Sequence, residues 1–121
     1  MGFNWNFAPV LDVNNNPRNP VISDRSFGED PSRVAALGAA WAQGSLSEGV
    51  AVCAKHFPGH GDTALDSHHA LPTVDKPLSV LEALESSPFR ATLRDMPSIM
   101  TAPYCLSSTG HVVLPRCQNA S

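Results

Sequence analysis

The sequence predicts an α/β fold, with helices set against a parallel sheet, on three observations. Strand-like and helix-like stretches alternate as strand, loop, helix, strand, loop, helix, strand, the order that βαβ units produce. The run "VAVCAKHF" at 50–57 is apolar and β-prone, as a buried strand should be. Polar and charged residues collect just after the expected strands' C-terminal ends, where α/β barrels and open α/β sheets alike place their sites.

The elements follow in order. In "FNWNFAPVLDV", Phe3, Trp5 and Phe7 alternate with Asn4 and Asn6 before a continuous apolar run from 8 to 11. This predicts a strand running into a core, with the aromatic side chains on one face. "NNNPRNPVISDRSFGEDP" is rich in Asn, Pro, Asp and Ser and reads as a long loop. Long ordered loops in compact domains are often functional. Asp30-Pro31 then starts a helix, with Asp as the N-cap and Pro at the first helical position. Val34, Leu37, Ala40 and Trp41 give it an apolar stripe, and Gly49 suits its C-terminal cap. Lys55-His56 closes the second strand. "PGHGDTALDSHHALPTVDKP" is a second long loop. Leu78, Leu81 and Leu84 mark another helix, with Glu82 and Glu85 on its wet side. Pro88 breaks or kinks that helix before Phe89 and Leu93. "SIMTA" reads as a further strand, and the last stretch, "PYCLSSTGHVVLPRCQNAS", has no clear period.

Bulk composition excludes several classes. The 121 residues, 42% of them hydrophobic, suffice for one small domain with a modest core. A net charge of −3 with no Lys or Arg cluster argues against nucleic acid. No apolar run approaches the ~20 residues of a membrane span, and "MGFNWNFAPV" lacks the basic start of a signal peptide. Three cysteines, Cys53, Cys105 and Cys117, have no metal-like spacing. A reducing, cytoplasmic setting is expected. Eleven prolines point to many loops, or to a chain that is part of a larger domain.

The segment "KHFPGHGDTALDSHH" at 55–69 holds four of the five histidines. A metal site from His56 and His60 with Asp62, Asp66, His68 or His69 is one reading. Zinc-binding histidines four apart usually share a helix face, however, and Pro58, Gly59 and Gly61 break any helix here. A phosphate cradle at "GHGD" is weaker still, because the spacing is neither Walker nor Rossmann. The third reading is an acid–base pair, Asp66 and His68. Residues two apart on extended backbone point to one side, so the carboxylate would fix the imidazole tautomer, raise its pKa and leave the other nitrogen for proton transfer. Against all three stands a solvated loop with an idle histidine, which is the commoner case for an isolated Asp-Ser-His.

Read whole, "KHFPGHGDTALDSHHALP" resembles the signature loop of the family 3 glycoside hydrolases, and more narrowly their bacterial β-N-acetylglucosaminidase (β-N-acetylhexosaminidase) branch of peptidoglycan recycling. "NWNFAPVLDVNNNPRNPVISDRSFGEDP", "LSVLEALESSPFRATL" and "IMTA" are similar to the same family, so the likeness covers roughly residues 2–102. The resemblance implies a (β/α)8 barrel, of which about half is present, and retaining two-step hydrolysis of terminal β-linked N-acetylglucosamine. By match of position His68 is the general acid/base and Asp66 its partner, a departure from the usual carboxylate pair. Lys55, His56 and Arg25 are expected to contact sugar hydroxyls. Gly59 and Gly61 would let the loop bend, while Asp62 and His60 shape its base. The implied partner is a carbohydrate, an N-acetylglucosamine-containing muropeptide or chitooligosaccharide; no cofactor and no metal is implied.

A complete barrel takes about 250 residues. The family's upstream Asp-Gln-Glu-Gly-Gly-Arg-like contacts have no counterpart here, and no residue matches its nucleophilic aspartate. Asp12, Asp75 and Asp95 are not candidates for that role. After "IMTA" the family's usual His is Pro103, and the likeness dissolves over 103–121. A shifted reading frame, a misjoined gene model or an internal start at Met1 would produce this pattern. The expectation is a fragment with unpaired sheet edges and uncovered helix faces, inactive alone for want of a nucleophile. The alternatives are a non-catalytic sugar-binding or vestigial fragment and, more weakly, a metal-binding α/β domain.

Overall fold

The computed structural model describes residues 2–16, 18–61, 73–74, 76–103 and 105–106. The elements run β1 (Trp5–Asn6), α1 (Pro31–Ser47), β2 (Ala51–Phe57), β3 (Thr73–Val74), α2 (Leu78–Ala83), α3 (Ser87–Thr92), β4 (Ser98–Thr101) and β5 (Cys105–Leu106). A 3-10 turn at Ser23–Arg25 lies between β1 and α1. The main sheet has three strands in the order β1-β2-β4, all parallel. The expected α/β class and its βαβ alternation are therefore present. β3 and β5 pair separately, also in parallel, and β5 gives structure to a stretch whose sequence has no period.

β2 is the central strand because Val52, Cys53 and Ala54 are buried. Ser98 pairs with Cys53 and Met100 with Lys55 on one side. On the other, Trp5 pairs with Ala51 and Asn6 with Val52. Pairing continues beyond β1, where Cys53 N–H donates to Ala8 O at 2.9 Å, Lys55 N–H to Pro9 O at 3.1 Å and Leu11 N–H to Lys55 O at 2.7 Å. Pro9 has no N–H to add to this ladder, which here is a two-residue strand followed by an isolated bridge, Val10 to Lys55. The chain enters the interior at Pro9, and Leu11 and Val13, both fully buried, join the core cluster.

The aromatic alternation at the N-terminus is correct in period but not in burial. Phe3, Trp5 and Phe7 are 74%, 52% and 53% exposed, because nothing among the described residues covers that edge. The helix stripe also shifts. Asp30 caps α1 through its carboxylate and Ser32 N–H, as expected, and Gly49 follows the helix with φ at 75°. The buried positions, however, are Val34, Gly38 and Ala42; Leu37 and Ala40 face outward, and Trp41 only borders the core.

The expected helix break is present but falls at 84–86, before Pro88, which sits in the first turn of α3. Phe89 enters the core with Val34, Val52, Ala54 and Met96, while Leu93 is exposed. Glu85 corrects the sequence reading most clearly. It is 1% exposed, not on a wet face, because α2 stops at Ala83 and the following turn carries residue 85 inward.

Candidate active site

The site begins with a carboxylate in an apolar run. Asp12 follows Leu11, whose N–H is spent on Lys55 O, so residue 12 arrives beside the end of β2. Its side chain is fully buried. An unpartnered carboxylate there would be costly, and Asp12 is well supplied with donors. Oδ1 accepts from His60 N–H at 2.7 Å, Oδ2 lies 2.7 Å from His56 Nδ1, and His56 N–H approaches both oxygens at 3.2 and 3.3 Å.

This geometry selects a tautomer. An ionised carboxylate only accepts, so His56 Nδ1 carries the proton and Nε2 is the nitrogen left for other partners. The His56 ring is 14% exposed and meets the His60 ring edge-on at 5.8 Å. His60 itself is buried and serves the base of the loop, as the sequence suggests. Its carbonyl and that of Gly61 accept from Asn19 Nδ2 at 2.7 and 2.9 Å. Asn19 Oδ1 in turn accepts from Val21 and Ile22 N–H, and Ile22 O accepts from Arg25 N–H, which opens the 3-10 turn. Two loops far apart in sequence are thereby tied together, with Arg25 at one end of the tie and His60 at the other.

Lys55 and His56 sit at the C-terminal end of β2, as the sequence places them. The peptide between them is cis, and the β2/β4 register slips between Lys55 and Phe57. Burial lowers the Lys55 pKa from its ordinary value, and the Arg25 charge lowers it further, while Cys53 and Asp12 pull the other way. Arg25 is exposed and holds Val21 O through Nη1 at 2.9 Å. The structure thus sets Lys55 and His56 at one strand end beside Asp12, with Arg25 near enough for its charge to act on Lys55. Asp66, His68 and Asp62 lie outside the described residues, in the segment that follows β2 in sequence.

The loop glycines have a packing role beside the bend expected of them. A Cβ on Gly61 would stand 1.6 Å from Val13 O, and one on Gly59 would stand 2.5 Å from Glu85 Cβ. Gly59 also adopts φ at 138°, which L side chains rarely reach. For a metal, His56 Nδ1 is already committed to Asp12, and no cluster of three His, Cys, Asp or Glu occurs among the described residues.

Lys55 supplies a stability prediction. Because its pKa is lowered by folding, the protonated form is disfavoured in the folded state. That penalty is fully present below the folded pKa and fades as pH rises from there toward 10.5. Lys55→Met should therefore raise the melting temperature at neutral pH, with the gain shrinking in alkaline buffer. Thermal melts at pH 7 and pH 10 check this; a lower melting temperature for the variant at pH 7 would contradict it.

Comparison with known proteins adds an independent line. The profile of the "Glycosyl hydrolase family 3 N terminal domain" matches residues 1–118. The chain is 42% identical to Beta-hexosaminidase A of Pseudoalteromonas piscicida over 120 residues, which is 99% of this chain and 19% of that protein. Among solved structures it is similar to a glycoside hydrolase family 3 β-N-acetylglucosaminidase from Paenibacillus sp. str. FPU-7, with a TM-score of 0.85 and 50% identity over 93% of this chain and 22% of that one. It is also similar to NagZ from Neisseria gonorrhoeae in complex with N-trifluoroacetyl-D-glucosamine, with a TM-score of 0.81 and 40% identity over 87% of this chain and 31% of that one. The chain thus spans about a fifth to a third of the length of these relatives.

Proposed function

The chain belongs to the family 3 glycosyl hydrolases through their N-terminal domain, and from that premise we propose that it forms the sugar-binding and acid/base portion of a retaining β-N-acetylglucosaminidase. The observation that carries this reading is the placement of Lys55 and His56 at the C-terminal end of a parallel strand, with Asp12 holding the His56 ring; the segment that follows this strand in sequence bears Asp66 and His68. The relatives' names, beta-hexosaminidase and β-N-acetylglucosaminidase, support the sugar.

In this reading each residue has a definite task. Lys55 Nζ and the Arg25 guanidinium donate to ring hydroxyls, and His56 presents Nε2 to the sugar because Asp12 holds Nδ1. In the first step a carboxylate outside these 121 residues attacks the anomeric carbon while His68 protonates the departing glycosidic oxygen. In the second, His68 removes a proton from the incoming water, which displaces the carboxylate. Asp66 orients the His68 ring and stabilises its charged form. An imidazole titrates near neutral pH, so one group can give and retake the proton without a large shift. Muropeptide-derived substrates and a cytoplasmic setting complete the proposal.

The fold is read as part of a (β/α)8 barrel. Two apolar grooves flank the main sheet. One of about 460 Å³ includes Phe57, Leu81, Phe89 and Ile99 at the β4 side. The other, of about 810 Å³, includes Phe3, Trp5, Phe7 and Trp41 at the β1 side. On this reading further βα units would cover both.

A segment exchange tests the activity. Residues 2–102 of this chain replace the matching segment of the Paenibacillus relative, and release of 4-nitrophenol from its β-N-acetylglucosaminide is measured. The exchange enzyme should be active, His68→Ala should reduce its kcat about a hundredfold, and the 121-residue chain alone should release nothing. A folded exchange enzyme with no turnover would favour a non-catalytic sugar-binding segment, and undiminished turnover by His68→Ala would remove the acid/base assignment.

A further inference from the structure

Glu85 lies outside the sugar-contacting set, yet both ends of the histidine loop meet on it or its neighbour. At the loop's start, Ser86 Oγ donates to Pro58 O at 3.0 Å, and Gly59 packs so closely on Glu85 that a Cβ there would overlap the Glu85 side chain. At the loop's end, Lys76 Nζ donates to Glu85 Oε1 at 2.6 Å. The same oxygen accepts from Asn15 Nδ2 at 2.9 Å, and Asn15 belongs to the loop that follows Asp12. Glu85 is 1% exposed, and its Oε2 is buried with no hydrogen-bond partner among the described residues.

Such a group is expensive as mere filling. A leucine at this position would cover similar area without desolvating a carboxylate or leaving an acceptor unpaired. What a leucine would lack is the reach to Lys76 and Asn15. We propose that Glu85 is a positioning residue for the histidine loop, a clamp that fixes the loop's start and end against each other and against the Asp12 side of the site. The proposal rests on the acid/base reading only for its catalytic meaning; the clamp itself stands on the contacts above.

The test is residue-resolved amide hydrogen exchange on the full 121-residue chain, comparing wild type with Lys76→Met and with Glu85→Leu, which keeps the bulk and removes the bonds to Lys76 and Asn15. If Glu85 clamps the ends of the loop, exchange at 59–61 and at 76 rises about tenfold in both variants while amides of α1 and β2 keep their protection. Unchanged exchange at those ends would overturn the proposal. So would a uniform rise through α1 and β2, which is the mark of ordinary stability loss. Failure of the acid/base reading appears separately, as a His68 ring titration that Asp66→Asn leaves unmoved.

Discussion

Gly61→Ala should unfold the chain or cost it about 4 kcal/mol or more, at the upper end of single substitutions. The new Cβ would lie 1.6 Å from Val13 O and 2.7 Å from Val13 C. These are backbone atoms at the core end of the β1 segment, with Val13 itself fully buried, so they cannot move aside as a flexible side-chain tip would. The loop must instead lift away. Lifting it breaks the Asn19 bonds to the His60 and Gly61 carbonyls and the His60 N–H bond to Asp12. Gly44→Ala is the control, since nothing lies within 4 Å of its added carbon. In a helix interior that change should stabilise by about 0.5–1 kcal/mol. Urea unfolding of the two variants measures the contrast, and equal midpoints would contradict the packing argument.

Asp12→Ala should cost about 1.5–3 kcal/mol, the range for losing hydrogen bonds to a charged group and leaving a buried donor unpaired. It strands His60 N–H in the interior and releases His56 Nδ1. Asp12→Asn gives a more selective outcome. Its amide oxygen can still accept from His60 N–H, but its NH2 would then face the His56 Nδ1 proton. Two donors cannot share that contact, so the imidazole must exchange tautomers and carry its proton on Nε2. Ring nitrogen NMR should show His56 protonated at Nδ1 in the wild type and at Nε2 in the variant. The same spectrum in both would mean that Asp12 does not set the tautomer.

Parts of this were legible in the residues. The strand at 50–57 announces itself by a continuous apolar run, and α1 by Asp30-Pro31, because caps and apolar runs are local signals. Lys55 and His56 follow from their place at a strand's end. Asp12 was hidden by its neighbours: "VLDV" reads as a strand, and only the rule that a buried carboxylate needs donors hints at a partner. Asn19 was hidden for the opposite reason. In an asparagine-rich loop nothing singles out the one residue that bonds a loop forty positions away. Glu85 was misplaced because the Leu78, Leu81, Leu84 period assumes a helix that continues, whereas α2 ends at Ala83. Phe3, Trp5 and Phe7 share a period but not a burial, since nothing among the described residues covers their face. Tertiary contacts of this kind carry no periodic signature.

The central claim is that the strand end holding Asp12, Lys55, His56 and Arg25 is a sugar site. The most direct test is an NMR titration of the isotopically labelled chain with N-acetylglucosamine. The account predicts saturable shifts at the Lys55, His56 and Arg25 amides and at the His56 ring, lost in Lys55→Met while that variant remains folded. Absence of shifts at these positions up to saturating sugar, or shifts confined to the apolar grooves around Trp5 or Phe89, would contradict it.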